Sequence, residues 1–240
     1  MPFQERRTST RIEIIKYACD LFLTVGFSKT SASTIAKGLD LSPGNLTFYF
    51  PSKEDLLAVL VDELCSFQHK LMAREIDEGY SPMLAYCLEL ASIAAICEES
   101  PVARDFYVAT YTHKKTLEII RQNDEERSKE MFAQFCPDWT DSKWREMENI
   151  VSGIEYATIM TSEENTPLEM QIESTLDTIL KLYNVPEQIR KEKIQKILSR
   201  DYRKVSRIML DEFKQYVNQI HEEALKKQKE SHPHNRWKEQ

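Results

Sequence analysis

Glycine is almost missing from this chain: five occur in 240 residues, and Gly26, Gly38 and Gly44 fall within the first 44. That scarcity excludes the glycine-rich turns of β-sandwiches and the phosphate-cradling loops of nucleotide-binding enzymes. Cysteine is sparse too. Cys19, Cys65, Cys87, Cys97 and Cys136 are odd in number and contain no CxxC pair, which reads as reduced thiols and not as a disulfide framework. Long apolar runs are also lacking. The richest window, LAYCLELASIAAI at 84–96, includes Glu89 and is too short and too charged to span a bilayer. No apolar stretch follows Arg6 and Arg7, so no secretory signal is read there, and the expectation is a cytoplasmic protein with no membrane partner. Catalytic signatures are lacking as well: no HExxH, GxSxG, P-loop or metal-spaced Cys/His cluster occurs, and the His232-Pro-His234 step near the end is a weak metal pattern. The chain is therefore read as no enzyme, with no cofactor and no metal.

Positive charge is short overall, with 32 Lys and Arg against 39 Asp and Glu. Its distribution decides what that means. Residues 1–55 hold seven basic side chains against six acids, whereas the rest holds 25 against 33, so the acidity lies outside the first segment. An acidic body with a near-neutral head can still bind DNA through the head.

What is there is helical periodicity, with no alternating run long enough for a strand, so an all-α fold is expected. A first helix is predicted over about 8–25, with Ile15, Ala18, Cys19 and Phe22 on one face and Gly26 as its left-handed stop. A cap at Thr30 or Ser31 opens a short second helix, and Pro43 opens a third over about 43–49. Ser52, followed three residues later by Asp55, caps a long fourth helix. Further helices are expected near 82–99, 101–111, 114–135, 141–162, 167–183, 186–199 and 201–227. A tail from 228 to 240 without apolar period is read as flexible. The division expected is a head over 1–51, a helical body over 52–227 and that tail.

Two short helices joined by a tight turn after a longer one are the layout of a helix-turn-helix, whose second member lies in the major groove. In the segment SPGNLTFYFPSKEDLL, Leu46 and Phe50 are four apart and turn inward onto Ile35, Ala36, Leu39 and Leu41, leaving Asn45, Thr47, Phe48 and Tyr49 to face outward. Over about residues 8–57, and most specifically in TSASTIAKGLDLSPGNLTFYFPSKEDLL, the sequence resembles the N-terminal domain of the TetR/AcrR family of bacterial transcription regulators.

The resemblance implies double-stranded DNA as a partner. It implies a base or phosphate contact from Ser33, a recognition helix carrying Pro43, Gly44, Asn45, Thr47 and Phe48, and a phosphate contact from Tyr49. Lys53 adds charge beside the fourth helix's N-terminus. Arg6, Arg7 and Arg11 would follow the backbone or enter the minor groove as an N-terminal arm. The sequence departs from the family's pattern at three points. Asp40 stands at the turn usually held by Gly, Thr47 stands where Tyr is common, and no Arg or Lys lies on the recognition helix. Readout by Asn45 to adenine, by a Thr47 methyl to thymine, or by DNA shape is expected instead of bidentate guanine contacts.

The resemblance further implies a ligand-responsive repressor that binds a palindrome as a homodimer. Its dimer face would lie on the helices near 141–162 and 167–183, where Ile150, Ile154, Ala157, Ile172, Leu176, Ile179 and Leu180 supply apolar positions that would equally serve an intrachain core. A small-molecule effector would bind among body aromatics: Phe67, Tyr86, Phe106, Tyr107, Tyr111, Phe132, Tyr156 and Trp139. Val205, Met209, Phe213, Tyr216 and Ile220 form a seam that extends the interface or covers the body. Two rivals stand beside this reading. A DNA-binding scaffold controlled by a protein partner would lack a body cavity of about 300 Å³ or more, and an all-α enzyme carrying the head would show convergent polar groups of perturbed pKa inside one.

Overall fold

The structure, a computed structural model, describes residues 3–161 and 166–231. Among these it contains eleven α-helices and one short 3-10 turn, with no strand. Their order is α1 (Phe3–Thr24), α2 (Ala32–Gly38), α3 (Pro43–Tyr49), α4 (Lys53–Asp77), α5 (Pro82–Glu99), α6 (Pro101–Thr112), α7 (Lys114–Phe132), the 3-10 turn (Ala133–Phe135), α8 (Asp141–Met160), α9 (Leu168–Leu182), α10 (Glu187–Leu198) and α11 (Tyr202–Ser231). The expected all-α fold is what forms.

Hydroxyl caps set most of the starts. Ser31, Ser42, Ser52, Ser81, Ser100 and Thr140 each accept the backbone N–H three residues ahead, satisfying a donor that has no partner inside the helix. At Ser52 the cap is reciprocal, since the Asp55 carboxylate also accepts the Ser52 backbone N–H at 3.1 Å. Left-handed residues set two of the stops: Gly26 at φ 106° closes α1, and Asp40 at φ 52° makes the turn between α2 and α3.

Three boundaries differ from expectation. α1 begins at Phe3, five residues early, because nothing between Phe3 and Thr8 breaks a helix. α7 ends at Phe132, where the backbone tightens into the 3-10 turn before Pro137. α11 continues to Ser231, so the first four residues of the expected tail are helical, and 232–240, with His232 and His234, lie outside the described residues.

Two apolar clusters fill the interior. The first joins head and body: Ile15, Phe22, Ile35, Leu46 and Phe50 are continuous with Leu57, Leu64, Phe106, Tyr107 and α11's Phe213. The second lies between α5, α7, α8, α9 and α10 around Tyr183. α11 lies in this same chain against α5, α1 and α4, which makes it a cover for the body and not a free seam. Its buried stripe is Tyr202, Ser206, Met209, Phe213, Val217 and His221, while Val205, Tyr216 and Ile220 from the expected seam stand at the edges, half-buried.

Candidate nucleic-acid interface

α3 is held by two of its own side chains. Leu46 and Phe50 are 2 % and 4 % exposed beneath it, on the buried Ile35 and Ala36 of α2. That burial leaves Pro43, Gly44, Asn45, Thr47 and Phe48 exposed and Tyr49 half-exposed, as the four-residue spacing requires. The Phe48 ring is 59 % exposed and stands edge-on to Tyr49 at 5.3 Å, an apolar surface left largely uncovered by the described residues. The Thr47 hydroxyl donates back to the Pro43 and Gly44 carbonyls at 3.2 and 3.1 Å, which leaves its methyl as the group to offer outward. A Cβ at Gly44 would meet nothing within 4 Å, so packing inside the chain does not demand glycine there.

The positive charge missing from α3 comes from α1. Because α1 is helical from Phe3, Arg7 and Arg11 sit one turn apart on the same face, with Arg7 Cζ 4.6 Å from the Phe48 ring and Arg11 Cζ 5.1 Å from the Phe50 ring. An extended arm is not what these residues form. Their charge is fixed beside α3, a placement that sequence reasoning missed, although the four-residue spacing was the available signal.

Ser33 is exposed, second in α2. Lys53 is committed elsewhere: its ammonium donates to the Phe27 carbonyl at 3.0 Å and lies 4.0 Å from the Phe27 ring. The turn after α1 is fastened to the body. The Ser28 backbone N–H donates to Asp105 Oδ2 on α6 at 2.8 Å, the Ser28 hydroxyl donates to Oδ1, Phe27 meets the His113 ring at 5.4 Å, and Lys115 donates to Asp55 at 2.8 Å. Lys115 and Ser52 together hold the Asp55 carboxyl below the usual carboxylate range.

Further along α6, Tyr107 and Tyr111 line a small cavity of ≈ 30 Å³ with Tyr86 of α5, Asp124 and Arg127 of α7, and Glu155 of α8. Glu155 accepts from the Tyr111 hydroxyl at 2.9 Å and the Tyr86 hydroxyl at 3.3 Å. Arg127 reaches Glu89 at 2.5 Å and Asp124 at 3.2 Å. Burial pushes Glu155 far above the ordinary carboxyl range and Asp124 up to about 6. Beside this site, Glu148 accepts from the Tyr183 hydroxyl, and burial followed by the nearby Asp124 charge lifts it to about 7. The clefts of ≈ 410 and ≈ 360 Å³ between α9 and α10 and between α7 and α8 lie on the surface.

The eight aromatics singled out from the sequence therefore divide. Tyr86, Tyr107 and Tyr111 meet at the cavity. Phe67 and Phe106 pack on Phe213 of α11, at 5.6 and 6.5 Å between ring centroids, and Phe132 stacks on Tyr183 at 4.2 Å. Trp139 stands edge-on to Trp144, and Tyr156 is half-buried outside the cavity lining. Sequence reasoning missed the carboxylates and Arg127. Its one signal was Glu89, the single charge inside the apolar window at 84–96. The thiols offer no chemistry, since burial raises all five and lifts Cys19, Cys65 and Cys87 to about 12.

Residues 14–60 match the family model described as bacterial regulatory proteins, tetR family. Among solved structures, the chain is similar to Thermus thermophilus FadR, a TetR family transcriptional repressor crystallised with lauroyl-CoA. The TM-score is 0.56 at 19% identity, covering 74% of this chain and 96% of that one. A gamma-butyrolactone receptor described as ArpA-like aligns at TM-score 0.39 and 18% identity over 90% of this chain and 100% of its own. A search of curated proteins returns no match. The similarity to FadR is one of fold.

Proposed function

On the premise that residues 14–60 are a helix-turn-helix module of the tetR family of bacterial regulatory proteins, we propose that the protein is a cytoplasmic, ligand-responsive transcriptional repressor that binds a palindromic operator as a homodimer. The observation that carries the reading is the exposed outward face of α3, flanked by Arg7 and Arg11. In this reading Asn45 and the Thr47 methyl meet base edges, Phe48 lies against sugar or a thymine methyl, and Ser33 and the Tyr49 hydroxyl take phosphate oxygens. Pro43 starts the helix at the DNA surface and Gly44 lets the backbone come close. Lys53 has to leave the Phe27 carbonyl to reach a phosphate, so its contribution is small.

Residues 1–51 then read DNA, and 52–227 hold the effector and the partner. Two heads must stand about 34–36 Å apart to read a palindrome. Of the apolar positions expected to pair, Ile172, Leu176, Ile179 and Leu180 are buried inside this chain. The dimer face is assigned instead to Ile150, Ile154, Ala157 and Met160 of α8 with Met170 of α9; Ile150, Met160 and Met170 are 41%, 47% and 56% exposed. α6 carries the signal, because Tyr107 and Tyr111 at the cavity share a helix with Asp105, which holds the head's turn. A ligand acts only through its different affinity for the two head arrangements.

The scaffold reading has one observation in its favour: the cavity has room for about one or two water molecules, so a large effector needs it to widen. The polar groups of raised pKa that converge there also meet the criterion set for an enzyme, but a substrate of any size likewise needs the cavity to open. The test is to capture sheared bacterial genomic DNA on the purified protein at near-physiological salt and sequence what stays bound. One inverted-repeat motif is expected. On that motif, Tyr49→Phe should weaken binding to every sequence and lower the salt slope, whereas Asn45→Ala should relax preference at one base step, a change of about 1–3 kcal/mol. Capture of no motif, or equal effects of both variants on all sequences, overturns the reading.

A further inference from the structure

The cavity among α4 to α8 holds more carboxyl groups than cations among the described residues. Three carboxylates, Glu89, Asp124 and Glu155, line it with one cation, Arg127. Arg127 is already divided between Glu89, which it reaches with two nitrogens at 2.5 and 3.3 Å, and Asp124. Glu155, 6 % exposed, has hydrogen-bond donors but no cation among the described residues: both contacts are phenols. A second observation is independent of the acids. Tyr107 lines the same cavity, is 2 % exposed, and its hydroxyl has no hydrogen-bond partner. Buried hydroxyls without partners are uncommon because each costs its lost hydration. The remaining lining is mostly apolar, with Leu64, Leu90, Ile93 and Ile120, and includes the polar Gln68 and Thr110. Further voids of ≈ 30 and ≈ 20 Å³ adjoin through Glu89 on one side and through Tyr111 and Glu155 on the other, so the space can lengthen in two directions.

We propose that this cavity binds a small organic cation, an ammonium group on a short apolar stem, seated between the Glu155 carboxylate and the Tyr107 hydroxyl oxygen. The proposal rests on the reading of the body as an effector domain and names the chemical class of that effector. An ammonium carries only donors, and Glu155 and Tyr107 present acceptors. It also supplies the charge without which an ionised Glu155 would stand without a counter-charge in a buried site. An anionic ligand would add a further negative charge to three carboxylates.

The experiment is calorimetric titration of the full chain, without DNA, with methylammonium, butylammonium and benzylammonium chlorides. Each is compared at constant ionic strength with the alcohol and the carboxylate of the same skeleton. At least one ammonium should bind about tenfold or more tightly than its alcohol, and the carboxylates should not bind. Glu155→Gln removes the charge while keeping an acceptor for Tyr111, and should erase that preference. Tyr107→Phe removes only the unpartnered hydroxyl, should fold at least as stably, and should weaken the ammonium several-fold. Ammoniums no better than alcohols, no binding by any of them up to about millimolar affinity, or an unchanged preference in Glu155→Gln overturns the proposal. A separate titration of the DNA-bound protein keeps the two readings apart. Ammonium binding without DNA release leaves the cation site standing and removes its effector role, whereas DNA capture without ammonium binding leaves the regulator and removes the cation.

Discussion

Gly38 illustrates how a residue can look like a local defect and be a tertiary requirement. Within α2 it costs about 1 kcal/mol relative to Ala, and helix propensity alone would replace it. A Cβ there would stand 2.5 Å from Cζ of Tyr17 and overlap the rest of that ring edge, so glycine is what allows α1 and α2 to close on one another. Gly38→Ala should therefore destabilise the protein by about 1–3 kcal/mol. In a Tyr17→Ala background the same change should become neutral or stabilising. Urea unfolding of the four-member cycle checks this, and additivity of the two changes would refute the contact. Asp40 shows the reverse case: it stands where the resemblance expects Gly and adopts the left-handed φ of 52° itself, which Asp tolerates better than most residues.

At the scale of elements, helix starts were the best-read feature. Ser52 is the case with most consequence, because its capping box begins the helix that joins head to body and positions Asp55 for Lys115 of α7. Ser52→Ala should cost about 1 kcal/mol and Ser52→Thr much less. A shift in the urea midpoint at constant slope would verify it, and equal losses for both variants would show that the hydroxyl is not the cause. The end of α7 was read three residues long and the start of α1 five residues short, since local periodicity carries no stop signal at either place. The second error mattered more, because it turned two helical arginines into an arm.

Across the whole molecule, buried acids set a pH dependence that no single helix contains. Glu148 ionises near pH 7 in the folded chain against 4.5 in its ordinary state, and Asp124 near 6 against 3.8. The unfolded chain therefore loses these protons first as pH rises. The stability they contribute is fully present below their unfolded values and is lost as pH climbs through about 6 to 7. The melting temperature should fall between pH 5 and pH 7 at constant ionic strength, and Glu148→Gln, which keeps an acceptor for Tyr183, should flatten the fall. Asp55 and Glu99, held low by Lys115 and Arg207, act in the opposite sense and only at more acid pH. A melting temperature that rises over this window in the unaltered protein would rule the account out.

The sequence by itself determined the helical class, the order of the elements, the inward turn of Leu46 and Phe50, and the outward residues of α3. Each of these follows from spacing within a few residues, where a 3.6-residue period or a cap is a local property. Only the tertiary structure decided that Arg7 and Arg11 flank α3, that α11 covers α5 and reaches α1, and that Tyr107 shares a cavity with Glu155, 48 positions away. Those are meetings between helices, and the charge balance of a buried site exists only once the helices have met.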